Sequence, residues 1–236
     1  MNDLATNVQG LLGIKLTQQQ IGLFCTFENE LIEWNARFNL TAIHEPEKIR
    51  TKHFLDSLTC LLAMGDLSNN RLIDIGTGAG FPSIPLKIIF PRLQLTMVES
   101  VGKKVDFLYH LIQTLGLTNV EIQPERAESL GQQPGHRQKY DWAVARAVAI
   151  LPVLVEYMLP FVKVGGAAIA MKGEGAPAEA HKAEPATRIL GGHLRKLVPV
   201  TLPGVADERY LVIIDKVAAT PDCYPRRVGQ PSKKPL

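Results

Sequence analysis

The pattern of the chain changes near residue 70, and this change restricts the possible folds more than any other feature. From there on, short apolar runs alternate with amphipathic segments, which is typical of βα units and predicts a largely parallel sheet with helices on its faces. The predicted strands are residues 71–75, 94–98, 120–122, 141–145, 167–171, 195–200 and 210–215, and the predicted helices are residues 82–89, 103–115, 150–161 and 177–190. Residues 201–209 are too few for a parallel crossover, so the last two strands are predicted to form an antiparallel pair at the sheet edge.

Before residue 70 the pattern is helical. Thr17 and Gln20 form a capping box that starts one helix, and the acidic residues and proline of residues 45–47 start a second. The apolar residues at helical spacing are Ile21, Phe24, Phe27, Leu31 and Trp34 in the first helix and Ile49, Phe54, Leu58, Leu61 and Leu62 in the second. We expect both helices to pack on the main domain, with Trp34 and Phe38 in the core.

The positive charge of the chain lies at its C-terminal end. The whole chain carries a net charge of +3, and residues 218–236 account for all of it, with Arg226, Arg227, Lys233 and Lys234 against Asp222. Proline-rich basic ends are more often solvated and disordered than bound, which is the prediction here, with RNA binding as the alternative. We therefore divide the chain into an N-terminal helical extension (1–68), a main domain (69–217) and a basic tail (218–236).

The composition is typical of a soluble protein of a reducing compartment. The first residues lack the basic and apolar regions of a signal peptide, and the apolar run at residues 147–155 is too short to cross a bilayer. The three cysteines, Cys25, Cys60 and Cys223, are far apart and odd in number, so they indicate neither a disulfide framework nor a metal site. We expect a cytoplasmic protein with no metal and no membrane partner.

The first predicted strand is followed by a glycine-rich turn, Gly76-Thr77-Gly78-Ala79-Gly80. Its glycines permit positive φ and close approach of a ligand, and the helix that follows favours a carboxylate or phosphate. A dinucleotide motif is one residue longer, and Phe81 stands where its last glycine would be, so the spacing disfavours a nicotinamide cofactor. Glu99, at the end of the second strand, can accept both hydroxyls of a ribose, although a dehydrogenase would use the same residue. A tight turn without a ligand is the structural alternative.

Several further blocks occur in a fixed order along the chain. After the third strand comes Arg126-Ala127-Glu128, which by itself fits either an adenine contact or a surface loop. The other blocks are Trp34-Asn35 with Asn39-Leu40-Thr41, residues 53–58 (HFLDSL), residues 74–82 (DIGTGAGFP), Glu99-Ser100 before Lys103-Lys104, Arg146-Ala147, and a closing Tyr224-Pro225-Arg226-Arg227 with Gly229, Pro231, Lys233 and Pro235-Leu236. With these blocks, the chain from Trp34 onward resembles the bacterial small-subunit ribosomal RNA guanine-N7 methyltransferases, also called glucose-inhibited division protein B.

The resemblance implies a fold, a cofactor and a set of site residues. The fold would be that of a class I S-adenosylmethionine-dependent methyltransferase, a Rossmann-like, seven-stranded and mostly parallel α/β sheet with an N-terminal helical extension. By position, the resemblance places Gly76 and Phe81 against the cofactor, Ala127 and Glu128 at its adenine end, and Arg146 in the active site. Together with the turn and ribose candidates above, the expected cofactor-binding residues are Gly76, Gly78, Gly80, Phe81, Glu99, Ala127, Glu128 and Arg146. One residue departs from the family pattern, since Ser83 stands where glycine is usual.

The implied chemistry needs little from the side chains. Guanine N7 carries an in-plane lone pair and no proton, so its attack on the methyl group requires alignment and no general base. The fourth strand ends at Arg146 without the Asn-Pro-Pro-Tyr type of motif of amino-methylating enzymes, and no cysteine stands at a catalytic strand end. The fork of Arg146 can hold the methionine carboxylate, or guanine O6 and a phosphate; a surface arginine is the alternative.

The remaining candidates are weaker. Lys172, Arg209, Arg226 and Arg227 are the predicted RNA contacts, although each also fits a solvated charge. His53 and Asp56 lie three apart on one helix face, where structural packing is favoured over catalysis.

The resemblance therefore implies methyl transfer from S-adenosylmethionine to guanine N7 of small-subunit ribosomal RNA. The RNA would be bound either free or within the small ribosomal subunit, by a monomeric enzyme. A methyltransferase that acts on a small molecule, and a noncatalytic RNA-binding module, are the alternatives.

Overall fold

The computed structural model describes every residue from Met1 to Leu236 and contains one seven-stranded sheet. The strands are β1 (Arg71–Ile75), β2 (Gln94–Val98), β3 (Val120–Gln123), β4 (Tyr140–Arg146), β5 (Val162–Gly173), β6 (Gly192–Val200) and β7 (Arg209–Lys216). Their order is β3-β2-β1-β4-β5-β7-β6. β2 pairs with β3, β1 with β4, and β4 with β5 in parallel, whereas β7 is antiparallel to both β5 and β6. The predicted strands and the antiparallel pair are confirmed.

The helices lie before β1, between the strands and, for the last one, after β7. They are α1 (Asn2–Leu12), α2 (Gln18–Phe38), α3 (Pro46–Ile49), α4 (Asp56–Leu58), α5 (Leu61–Met64), α6 (Ser83–Ile89), α7 (Gly102–Thr114), α8 (Ala127–Leu130), α9 (Leu151–Met158), α10 (Ala176–Ile189) and α11 (Gln230–Lys233). A π-helix (Arg50–Leu55) and a 3₁₀ turn (Leu159–Phe161) complete them. None has both the length and the apolar composition that a bilayer-spanning helix requires.

The N-terminal helices confirm one prediction and correct another. The capping box of α2 is present, because Thr17 Oγ1 accepts the Gln20 N–H at 3.2 Å and Gln20 Oε1 accepts the Thr17 N–H at 2.9 Å. The second predicted helix is wrong as one continuous element, since it divides into α3, the π-helix, α4 and α5. Within it the Ser57 hydroxyl donates to the His53 carbonyl and the Thr59 hydroxyl to the Asp56 carbonyl, both at 2.6 Å. Such side-chain bonds compete with the regular helical ladder.

Contacts divide the chain into two compact units, each built from several stretches of sequence. The first unit contains Met1–Asn69, Thr77–Pro124 and Leu202–Ala206, and the second contains Asn70–Gly76, Glu125–Thr201 and Asp207–Leu236. Neither unit is one continuous segment, so this division does not follow the predicted one at residues 68 and 217. That sequence-based division stays a prediction.

The core of the first unit is aromatic. The ring of Phe54 lies 5.2 Å from that of Phe24 and 5.1 Å from that of Phe27, and Phe27 stacks on Phe81 at 5.1 Å. These rings are all buried. Trp34 is only half-buried, and Phe38 is 36% exposed, so the prediction that Phe38 lies in the core is wrong. Phe38 is the last residue of α2, where Asn39 adopts a left-handed conformation and the chain turns away.

The core of the second unit is formed by β4, β5, β7 and α9. Val144 of β4, Ile169 of β5 and Ile213 of β7 have no exposed surface. Every residue of α9 is buried except the half-buried Tyr157. One of those buried residues is Glu156, a carboxylate within an otherwise largely apolar helix, and it must therefore have a partner inside the protein.

Candidate functional site

The first unit contains the part of the glycine turn from Thr77 onward. Gly78 and Gly80 have φ values of 62° and 91°. A side chain at Gly80 would collide with Ile84 of α6, whereas a Cβ at Gly78 would meet nothing within 4 Å. The turn is fixed by a bond from the Thr77 N–H to the Val98 carbonyl at 3.1 Å. Gly80 is thus required for packing, and Gly78 leaves open backbone that a ligand can approach.

Glu99 joins this turn to the end of β2. Its Oε2 accepts the Gly78 N–H at 3.0 Å and its Oε1 accepts the Val101 N–H at 2.8 Å. The residue is buried, and the two amide bonds fix the orientation of the carboxylate. Each oxygen retains a second lone pair that can accept a hydroxyl. Glu99 and the open backbone of Gly78 therefore fit the ribose of a nucleoside cofactor.

His53 and Phe81 are packed together in the first unit. Their rings are nearly parallel, with centroids 4.5 Å apart, and His53 Nε2 lies 2.8 Å from the Thr41 hydroxyl. Phe81 and Asp56 are also buried. His53 thus has a packing role, and Ser83, the residue that departs from the family pattern, begins α6 with its hydroxyl 3.3 Å from that of Thr77.

The second unit contains Gly76 and the segment that follows β4. Asp74 lies opposite Val144 in the parallel pair of β1 and β4, so Gly76 and Arg146 leave the sheet at the same edge. Arg146 is half-buried and is the last residue of β4. Residues 147–150, named here the post-β4 loop, begin with Ala147 at φ 57°, a left-handed conformation that non-glycine residues rarely adopt.

The post-β4 loop lies against Gly76. Gly76 has φ 67°, and a Cβ built on it would lie only 2.8 Å from Val148 Cγ2. Glycine is therefore required at this position both for its backbone conformation and for the close approach of the loop.

Lys172 and Glu179 fasten the same loop. The Lys172 ammonium donates to the Ala149 carbonyl at 2.7 Å and lies 2.7 Å from Glu179 Oε2. The same Glu179 oxygen accepts the Leu151 N–H at 2.6 Å. Only 12% of the Lys172 side chain is exposed, so the RNA contact predicted for it finds no support here. Sequence analysis did not identify Glu179, and its position in the first turn of α10 was the only available signal.

Ala127 and Glu128 open α8 and are both buried. Glu128 Oε1 accepts the N–H of Gly229 at 2.9 Å. Burial raises the pKa of the neighbouring Tyr157, and the Glu128 carboxylate adds to this effect. The element predicted to meet adenine is thus bonded to residues 218–236, the C-terminal tail.

The C-terminal tail is ordered, and the prediction of a disordered end is wrong. Arg226 donates from Nε to Glu156 Oε1 at 2.9 Å and from Nη2 to Oε2 at 2.6 Å, and its backbone N–H also reaches Oε1 at 2.8 Å. This bonding raises the pKa of Arg226, while the Glu156 side chain has no exposed surface. The Arg226 guanidinium therefore anchors the tail, and its predicted RNA contact is not supported.

A second arginine holds the start of the tail. Arg137 donates to the carbonyls of Thr220 at 2.7 Å, Pro221 at 3.0 Å and Tyr224 at 2.6 Å. Gln132 adds a bond to the Pro225 carbonyl at 2.7 Å. The acceptors are backbone groups, which carry no side-chain signal, so sequence reasoning missed Arg137.

Two predicted RNA contacts remain at the surface. Arg227 is exposed, and Arg209, with 21% of its side chain exposed, lies 3.7 Å from the Asp207 carboxylate. Lys233 and Lys234 of the tail are exposed as well. RNA binding by Arg209 and Arg227 stays a prediction.

Comparison with known proteins identifies the relatives of the chain. Residues 20–204 match the family model GidB, described as rRNA small subunit methyltransferase G. The protein called Ribosomal RNA small subunit methyltransferase G of Roseiflexus castenholzii (strain DSM 13941 / HLO8) is 50% identical over 224 residues, which cover 95% of each chain. The protein of the same name from Alkaliphilus metalliredigens (strain QYMF) is 47% identical over 225 residues, covering 95% of this chain and 94% of the relative.

Solved structures show the same fold at low identity. TrmN from Thermus thermophilus has a TM-score of 0.54 and 18% identity, with 71% of this chain covered, and the chain spans only 53% of TrmN. Precorrin-6y C5,15-methyltransferase from Geobacter metallireducens GS-15 has a TM-score of 0.52 and 13% identity, covering 68% of this chain and 87% of that one. The fold is thus that of the class I methyltransferases, as predicted. With its sequence relatives alike over almost their whole length, the chain belongs to the GidB family, rRNA small subunit methyltransferase G.

Proposed function

We propose that this chain transfers the methyl group of S-adenosylmethionine to N7 of a guanine in small-subunit ribosomal RNA. The observation that carries the substrate class is the near full-length similarity to proteins named Ribosomal RNA small subunit methyltransferase G. The observation that supports the cofactor is the bond between the Glu99 carboxylate and the open backbone of Gly78. The choice of guanine N7 follows from the family resemblance of the sequence blocks.

S-adenosylmethionine would supply an electrophilic methyl group on a sulfonium. The proposed cofactor-binding residues are Gly76, Gly78, Gly80, Phe81, Glu99, Ala127, Glu128 and Arg146. Glu99 would accept the ribose hydroxyls, Ala127 and Glu128 would lie at the adenine end, and the glycines would admit the cofactor close to the backbone. Arg146 would hold the methionine carboxylate or orient the guanine through O6.

Catalysis in this proposal depends on alignment. Guanine N7 needs no proton removed, so the residues have to hold the nucleophile in line with the methyl group, and alignment of this kind can contribute up to roughly 7–11 kcal/mol. The left-handed Ala147 supports this view, since unfavourable backbone conformations cluster at sites that need fixed geometry.

The proposed partner is small-subunit ribosomal RNA, free or within the small ribosomal subunit, bound by a cytoplasmic monomer. Exposed Arg227, Lys233 and Lys234 would contact phosphates, which adds affinity and salt dependence without base selection.

The substrate is tested by incubating the protein with labelled S-adenosylmethionine and purified small-subunit ribosomal RNA or small subunits. We expect label in RNA, and chemical cleavage at N7-methylguanine should locate one guanine. Transfer to small metabolites and none to RNA would overturn the proposal.

Replacing Arg146 with alanine is expected to lower kcat by about 100-fold or more, the usual cost of removing one donor that stabilises a transition state. Cofactor binding, measured by calorimetry, should be retained if the guanidinium acts on guanine, and should weaken if it holds the methionine carboxylate. Arg188→Ala is the control, because Arg188 is exposed and pairs only with Glu184 on the same helix. Full activity of Arg146→Ala would remove Arg146 from the mechanism. Loss of methylation with cofactor binding retained would count against a noncatalytic RNA-binding module.

A further inference from the structure

The post-β4 loop is fixed by two side chains from other elements of the second unit. Lys172 follows Met171, which pairs with Arg146 across β4 and β5, and Glu179 lies in α10. We propose that Lys172 and Glu179 are positioning residues for methyl transfer, which act by holding the post-β4 loop beside Arg146. This inference rests on the proposed function and names residues that serve the same site.

The loop needs this support because its first residue is in an unfavourable conformation. A left-handed conformation costs a non-glycine residue about 1–2 kcal/mol, and such a residue persists only where its surroundings fix it. Ala147 has φ 57°, and the two fastened groups, the Ala149 carbonyl and the Leu151 N–H, follow within four residues. Release of these bonds would let the loop relax. This would change the direction in which the chain leaves β4 at Arg146.

The two fastenings are coupled through one atom. Glu179 Oε2 lies 2.7 Å from the Lys172 ammonium and accepts the Leu151 N–H at 2.6 Å, while the ammonium also holds the Ala149 carbonyl. The pair is largely shielded, with 12% of the Lys172 and 27% of the Glu179 side chain exposed. Loss of either partner therefore removes the orientation of the other, and a shielded pair contributes more than a solvated one.

The loop also contacts the glycine turn. Val148 Cγ2 occupies the space beside Gly76 that a Cβ would need. A shift of the loop therefore changes the surroundings of Gly76 as well as those of Arg146. This contact joins Lys172 and Glu179 to Gly76 and Arg146, two of the proposed functional residues of the second unit.

The test compares Lys172→Met and Glu179→Met, which lack the ammonium donor and the carboxylate acceptor, with two matched variants on α10. Lys182→Met removes an exposed lysine, and Glu184→Met removes a carboxylate whose partner is the exposed Arg188. We expect kcat for ribosomal RNA methylation to fall about 10- to 100-fold in Lys172→Met and Glu179→Met, because a displacement of about 1 Å can cost 100-fold. The KM for S-adenosylmethionine should change less than kcat, and both matched variants should behave as wild type.

Two further measurements separate positioning from general stability. The double variant should be no slower than the slower single variant, since either change releases the loop, and Lys172→Arg should recover part of kcat because it keeps the charge. Wild-type kcat in both single variants, losses that multiply in the double variant, or equal losses in the matched variants would each overturn the inference. If Lys172→Met does not fold, Glu179→Met decides, because it is similar in size and removes a partly exposed carboxylate. Failure of the wild-type protein to methylate RNA would instead defeat the proposed function.

Discussion

Replacing Arg226 with alanine is expected to lower the free energy of unfolding by about 3–5 kcal/mol, the cost of leaving one partner of a buried ion pair unpaired. The carboxylate of Glu156 has no exposed surface. It accepts hydrogen bonds from both the guanidinium and the backbone N–H of Arg226. Chemical denaturation followed by circular dichroism measures the change.

The adjacent Arg227 is the matched control for this prediction. It has the same charge but is exposed, so Arg227→Ala should change the free energy of unfolding by no more than about 0.5 kcal/mol. Adding Glu156→Leu to Arg226→Ala should recover part of the lost stability, because an apolar residue removes the buried charge. Equal losses in Arg226→Ala and Arg227→Ala would show that the ion pair does not anchor the tail.

Replacing Gly76 with alanine is expected to cost both stability and activity. The left-handed conformation alone costs about 1–2 kcal/mol, and the new Cβ must also displace Val148 Cγ2, which adds to this cost. The displaced post-β4 loop should in turn lower kcat for RNA methylation by about 100-fold. Thermal unfolding and methyl transfer measure the two effects.

Gly78 separates the two causes of the loss of stability. It has a similar φ of 62°, but a Cβ there meets nothing within 4 Å. Gly78→Ala should therefore lower the free energy of unfolding only by the cost of the left-handed conformation. The difference in free energy of unfolding between the two variants measures the contact with Val148. If both variants lose the same stability, the loop does not press on Gly76.

The sequence predicts this fold where the signals are local. The strands read as apolar runs between turn residues, and the hairpin of β6 and β7 follows from the shortness of its connection. The start of β5 at Val162 is missed because residues 163–165 are exposed and follow no buried pattern. α1 is missed because it has no side-chain cap and buries only Leu4 and Val8.

The candidate site is predicted in the same uneven way. The glycine turn and Glu99 are recognisable because their signals, closely spaced glycines and an acidic residue after an apolar run, each lie within a short segment of sequence. The pairing of Arg226 with Glu156 joins residues 70 positions apart, and nothing near either residue specifies the other. The one available signal was Glu156 itself, because a charged residue in an otherwise largely apolar helix indicates a buried partner. Lys172 looked like a surface cation for the same reason, since its partner Glu179 lies on another element.

The docked tail sets a constraint on how the chain is made. Glu156 leaves the ribosome before Arg226, and synthesis of the 70 positions between them takes roughly 3–14 seconds at the usual rate of elongation. During that interval α9 carries a carboxylate whose burial without its partner is unfavourable, which disfavours packing of the helix against the sheet. The second unit therefore reaches its full stability only once the tail with Arg226 has been synthesised.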